Sequence, residues 1–194
     1  MSVRPEAPPL RWRLVNESTA MRRLPRRFVG LLFGRAYARH GPGGRSGGRG
    51  DRGRSPLSAL YAHGAGNLPA AVTVNALVAD DEAMASLNLR YKGHAGSTDT
   101  LAFPDGDIDP GMRSLHLGDI AANGQAALRE SALRQKGHPE WTARHELALY
   151  LLHGLLHLLG LDDRAPEEIA RMRRAEADIF VDAGMPKPPF PGGC

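Results

Sequence analysis

Between Leu151 and Leu159 every residue but three is leucine, the exceptions being His153, Gly154 and His157. A helix that is apolar all round has to be buried, so this segment occupies the middle of whatever fold the chain adopts and carries two imidazoles with it. Pro139 near its start and Gly160 just past its end give the asymmetry expected of a helix over about residues 141–159. Neighbouring helices are expected over about 122–136 and 165–183.

Ahead of these helices the pattern changes. Leu10-Arg11-Trp12-Arg13-Leu14 alternates apolar and charged side chains and reads as a strand, closed by Val15 and Asn16. Residues 28–38 read as a helix behind Pro25, and Leu57 to Tyr61 as a short one. Ala71 to Val78 is rich in β-branched residues and reads as a strand. Asp80 and Asp81 are placed to cap a helix reaching about Leu89. Tyr91 to Gly96 reads as a loop, Thr98 to Phe103 as a strand stopped by Pro104, Asp105 to Gly111 as turn material, and Leu115 to Ile120 as the return strand. Strands early and helices late predict an α+β fold: a single compact domain, its small mixed sheet of about four strands packed with helices.

Charge is distributed unevenly. Residues 1–60 hold thirteen Arg and no Lys against three acids, whereas residues 61–194 hold twelve basic and eighteen acidic residues. A basic arm on a mildly acidic body is expected, either meeting nucleic acid or simply solvated. Residues 40–55 form a Gly/Arg run with almost nothing apolar to bury, which predicts a disordered insertion. The expected organisation is a basic strand-and-helix region (1–39), the insertion (40–55), the rest of the domain (56–183) and a tail (184–194). The lone cysteine, Cys194, excludes an intramolecular disulfide and a thiolate zinc cluster, which fits a reducing, cytoplasmic setting. Neither a membrane span nor a secretory leader is legible.

The chemistry concentrates after Leu151. His153 and His157, four apart, share one helix face and can reach one divalent ion. Gly160 can end the helix in a left-handed conformation, and the returning chain can bring Asp162 or Asp163 to the same ion. Three protein ligands leave a coordination position for water, the mark of a catalytic zinc. Buried histidines can also be core residues satisfied by hydrogen bonds, but two on one face, a Gly-terminated turn and two aspartates are hard to explain by packing alone. A zincin peptidase is disfavoured, because Gly154 stands where its general-base Glu would follow the first His.

The segment from His153 to Asp163 resembles the signature H-G-x-L-H-L-x-G-Y-D-H of the YbeY family of rRNA maturation endoribonucleases, with His153, Gly154, Leu156, His157, Leu158, Gly160 and Asp162 in register. Leu87 to Gly93, Thr98 to Pro104 and Leu117 to Ile120 are similar to the same family, so the resemblance covers about residues 70–183. It implies a zinc ion (Zn2+, one per chain) and single-strand-directed cleavage of RNA in ribosomal RNA maturation and ribosome quality control. The implied partners are ribosomal RNA and the small ribosomal subunit, with no membrane and no DNA expected. The third family histidine falls at Asp163, which makes the implied ligand set His153, His157 and Asp163. A carboxylate is a competent zinc ligand, though harder and negative. The family's substrate arginine falls at Lys92, which keeps the charge and loses the bidentate fork. His94 and His116 are weak candidates for the general acid, and Asp99 and Asp119 for orienting ligands. The alternatives are a non-catalytic ribosome assembly factor with the same fold and a metal-dependent hydrolase of another substrate.

Overall fold

The computed structural model describes residues 7–41, 69–109, 111 and 113–190. Along them run β1 (Leu10–Asn16), α1 (Arg26–His40), β2 (Ala71–Ala79), α2 (Asp81–Lys92), β3 (Thr100–Pro104), β4 (Ile108–Asp109), β5 (Ser114–Asn123), α3 (Gly124–Arg134), α4 (Ala143–Leu158) and α5 (Pro166–Asp182). The Gly/Arg run beyond Gly41 and the short helix expected at Leu57–Tyr61 lie outside the described residues.

The sheet is mixed, as the α+β reading expects, with order β1-β2-β5-β3 and with β4 also on β5. β1, β2 and β5 are parallel, while β3 and β4 run antiparallel to β5. The fifth strand is the two-residue β4, formed inside what the sequence marks as turn material. One face of β2 and β5 is buried along its whole length, whereas the other is covered by α2 only toward the strands' C-terminal ends and leaves Asn75 and Asp119 exposed. Val72, Val74, Val78, Leu115, Leu117 and Ile120 face α1, α3, α4 and α5, whereas Ala79 and Ala121 face Met84 and Leu87 of α2.

α4 is the innermost helix, in contact with β3 and β5 and with α1, α3 and α5. Its leucines are buried on every side, which is what an all-round apolar helix requires. Gly154 lets it sit down on the sheet: a Cβ there would meet Ile120 Cγ2 at 2.5 Å. A glutamate at this position has no room, so the absence of a zincin-type base is built into the helix–sheet contact. Thr100 Oγ1 lies within hydrogen-bond reach of Ala121 O at 3.2 Å and Tyr150 O at 3.0 Å, clamping β3 to α4.

Several boundaries differ from expectation for local reasons. α2 continues past Leu89 to Lys92 and ends where Gly93, at φ 72°, adopts the left-handed conformation. Tyr91 and Lys92 are thus helical and not in a loop. Asp80 stands at the N-cap of α2, but its carboxylate is turned to Ser18 and Thr19 and does not cap the helix. Asp81 instead ties α2 to α3, receiving Arg129 at 2.6 and 3.0 Å and Asn123 Nδ2 at 2.8 Å. These bonds, Arg129 foremost, hold the Asp81 carboxyl well below the usual range. Within the basic region, the described residues 7–40 are folded onto the domain. β1 pairs along β2 and α1 packs on α4, while Arg26 caps Leu14 O at 2.9 Å and Arg39 pairs with Asp178 and Asp182. Beyond α5, Met185 and Phe190 pack against the core as well.

Gly154→Ala is expected to lower unfolding stability by about 1–3 kcal/mol, because Ile120 is β-branched and its methyl cannot swing aside. Chemical denaturation checks this; a shift of a few tenths would mean that α4 is free to lift.

Candidate metal centre

His153 and His157 lie one turn apart near the C-terminal end of α4, with Nε2 atoms 3.0 Å from each other and rings edge-on at 87°. The helix stops one residue later because Gly160, at φ 98°, turns left-handed. Gly160 N–H then donates to His157 O and Leu161 N–H to Leu156 O, both at 2.9 Å, the paired closing bonds of a Schellman motif. This reversal carries the next residues back over the imidazoles. Asp163 Oδ2 comes to 3.5 Å from His153 Nε2, and Oδ1 to 3.8 Å from His157 Nε2. Asp162, the other candidate, is directed elsewhere: it receives Asp163 N–H at 2.9 Å and pairs with Arg164 at 3.3 Å. Among the described residues, His153, His157 and Asp163 form the group whose ligand atoms all lie within 4.8 Å of one another.

The far side of each ring is tethered. His157 Nδ1 lies 3.0 Å from Leu161 O, a carbonyl that can only accept, so Nδ1 carries the proton. His153 Nδ1 lies 2.8 Å from Glu176 Oε1. Both imidazoles are thereby held in the tautomer that turns the Nε2 lone pairs toward one point. Three ligands about 2.0–2.1 Å from a tetrahedral zinc stand about 3.3 Å apart. The two Nε2 atoms are 3.0 Å apart, and with one oxygen from Asp163 all three ligand atoms lie within 4.8 Å of one another, near enough to close on such an ion. The donor set fits a divalent cation.

Electrostatics agree. Burial works against charge on His153, but the carboxylates of Asp163 and Glu176 outweigh it and push the imidazole up to about 10. His157 is lowered, by burial first and then by the charge on His153. Asp163 is lowered chiefly by its hydrogen bond with His153. Burial pushes the Glu176 carboxyl up while His153 opposes it. The spot between the rings thus calls for one positive charge, a proton or a metal.

Glu176 is absent from the sequence-based reading of the site. It comes from α5, whose inward face is otherwise apolar, with Met172, Ile179 and Phe180. An acid on that stripe, four residues from one core position and three from the next, is the signal that marks it. It is 3% exposed, which only a bonded partner explains.

The triad opens into a cleft of about 670 Å³ bordered by β3, by Lys92 and by Arg164. Lys92 lies at this border as the last residue of α2, where the helix C-terminus favours a cation. Neither His94 nor His116 borders the cleft. His116 instead lies 3.2 Å from Thr73 Oγ1 and 3.1 Å from Asp119, which also receives Asn75. Asp119 therefore orients His116 and not a candidate ligand. Asp99 is at the cleft, but its carboxylate takes Thr100 N–H at 2.7 Å.

The sequence profile described as Endoribonuclease YbeY matches residues 58–184. A protein of Roseiflexus sp. (strain RS-1) named Endoribonuclease YbeY is 36% identical over 120 residues, 59% of this chain and 72% of that one. Proteins of the same name from Chloroflexus aurantiacus and Symbiobacterium thermophilum are each 34% identical, over 126 and 133 residues. They cover 62% and 66% of this chain, and 79% and 81% of their own.

His157→Ala is expected to abolish divalent-metal binding, and Glu176→Gln to weaken it about tenfold or more while the fold persists; zinc titration with calorimetry and circular dichroism reads both. The cation must also displace the proton that His153 holds below a pH of about 10. Metal affinity is therefore expected to rise with pH, by about tenfold per unit from neutrality toward that value. A flat profile would contradict the proton's place between the rings.

Proposed function

The chain belongs to the YbeY family of endoribonucleases, and from that premise we propose that it is a zinc-dependent, single-strand-directed endoribonuclease acting in ribosomal RNA maturation and ribosome quality control. Its substrate is ribosomal RNA, its partner the small ribosomal subunit and its setting the cytoplasm. The observation that carries this reading is the convergence of His153, His157 and Asp163 on one point, with both Nδ1 atoms already engaged.

Three side chains of this chain would hold the ion, through two imidazole Nε2 atoms and one carboxylate. When bound, zinc in such a site supplies Lewis acidity and a water acidified toward neutrality. Glu176 and Leu161 O keep the ligand rings from turning. Lys92, at the edge of the cleft, meets the negative charge of the scissile phosphate and of the transition state that follows. Asp163, in place of a neutral ligand, leaves less positive charge at the centre, which favours metal retention over rate. The excess of Arg over acids among the first sixty residues adds a salt-sensitive, sequence-independent attraction to RNA.

The test is cleavage of an unstructured ribosomal RNA fragment by the zinc-loaded chain. His157→Ala is expected to lose metal and cleavage together. Lys92→Ala is expected to keep the metal and lose about tenfold or more in kcat/KM, whereas Lys92→Arg, which restores a bidentate fork, cleaves at least as well as the parent. Full metal occupancy without cleavage would leave the assembly-factor reading in place of the enzyme.

A further inference from the structure

β3 is an edge strand. It pairs with β5 on one side, and among the described residues no strand pairs with it on the other. Two hydrogen bonds show which way its backbone points. Asn123 N–H donates to Asp99 O at 2.8 Å, and Asp105 N–H to Leu117 O at 3.3 Å. In an antiparallel pair, residues facing the partner alternate with residues facing away, so Asp99, Leu101, Phe103 and Asp105 face β5. Thr100, Ala102 and Pro104 turn their backbone groups outward. The Thr100 N–H is taken by Asp99 Oδ1, and proline has none. What is left, among the described residues, is a row of four: Thr100 C=O, Ala102 N–H, Ala102 C=O and Pro104 C=O, one donor among three acceptors. Thr100 and Ala102 border the same cleft as His153, His157 and Asp163.

We propose that this row pairs with the Watson–Crick edge of an unpaired base and thereby sets the single-strand selectivity of the site. The inference rests on the endoribonuclease reading above. Single-stranded RNA is recognised largely through base edges that a duplex keeps occupied. Uracil can present N3–H to Ala102 O and a carbonyl oxygen to Ala102 N–H, the closely spaced pair on such an edge. Adenine and cytosine can present an amino group and a ring nitrogen to the same two atoms. A base whose edge is held by a second strand can offer neither. RNA, and not a peptide strand, is the occupant favoured by Lys92, which borders the cleft and complements a phosphate, whereas Arg164 there is paired with Asp162. The edge is short, five residues ending in Pro104, which suits one base better than a long added strand.

The test is fluorescence anisotropy on the full chain with labelled ten-nucleotide oligomers of uridine and of N3-methyluridine, read before cleavage. Methylation removes the N3–H without touching the protein, and about tenfold weaker binding is expected. Ala102→Pro removes the outward N–H while leaving the β3–β5 bonds in place. It is expected to weaken the uridine oligomer about tenfold and to narrow the difference between the two oligomers. Ala102→Ser, which keeps the N–H, binds as the parent does. Equal affinity of the parent for both oligomers overturns the edge assignment alone. Failure to bind either oligomer overturns it together with the endoribonuclease reading. Displacement of the uridine oligomer by an uncharged extended peptide from the parent, but not from Ala102→Pro, overturns it in favour of a peptide-binding edge.

Discussion

His153 and His157 each commit Nδ1 to a fixed acceptor, which leaves two Nε2 lone pairs facing each other 3.0 Å apart. No dipole of the surrounding leucines relieves that repulsion. A positive charge does, either the proton that raises His153 or a divalent cation in its place. The rings cannot turn away, because turning breaks a bond to a buried carboxylate on one side and to a helix-terminal carbonyl on the other. The need for charge at this spot therefore belongs to the fold as much as to the two residues.

What holds the rings in place is polar structure carried into an apolar core. Glu176 is buried on α5, and burying a carboxylate is costly unless it is bonded. Its partner His153 is available only because α4 and α5 are packed through Met172, Ile179 and Phe180. A second buried acid, Glu146, anchors the other end of α4. One of its oxygens takes the Trp141 indole N–H at 2.5 Å, and the other lies 3.4 Å from Arg134. Burial pushes the Glu146 carboxyl up as well. The helix carrying the candidate ligands is thus fixed at both ends by a buried carboxylate, and Thr100 clamps β3 to its middle. A metal site assembled on such a helix is preorganised before any ion arrives.

Local pattern made much of this legible in the sequence. The leucine run identifies α4 as buried and Gly160 as its end, and the i, i+4 spacing puts His153 and His157 on one face. The alternation at Leu10–Leu14 and the β-branched run at Ala71–Val78 mark two strands with their extents nearly right. What the sequence hides is tertiary. Asp162 and Asp163 are equivalent in a turn until Arg164 claims one of them. Asp80 resembles an N-cap until Ser18 and Thr19, more than sixty positions away, bind its carboxylate. Lys92 resembles a loop residue because Gly93, not the last apolar position, ends the helix. Glu176 is visible only to a reader who asks why an acid interrupts the apolar stripe of α5.

On the proposed reading, the charge around the cleft ties phosphate binding to the metal. Lys92 and Arg164 border it, and so do Asp99, Asp162 and Asp163. Without metal, the proton on His153 only brings the bases level with the acids, and a phosphodiester entering the cleft meets no net attraction. A divalent cation in the proton's place adds a further positive charge, and at close quarters it outweighs any single side chain as a source of field. Two neutral imidazoles and one carboxylate leave such an ion less positive than three imidazoles would, so the excess attraction on phosphate is small. Placing the substrate strand then falls more heavily on neutral contacts, and a rigid backbone edge beside the ion can supply them without adding charge.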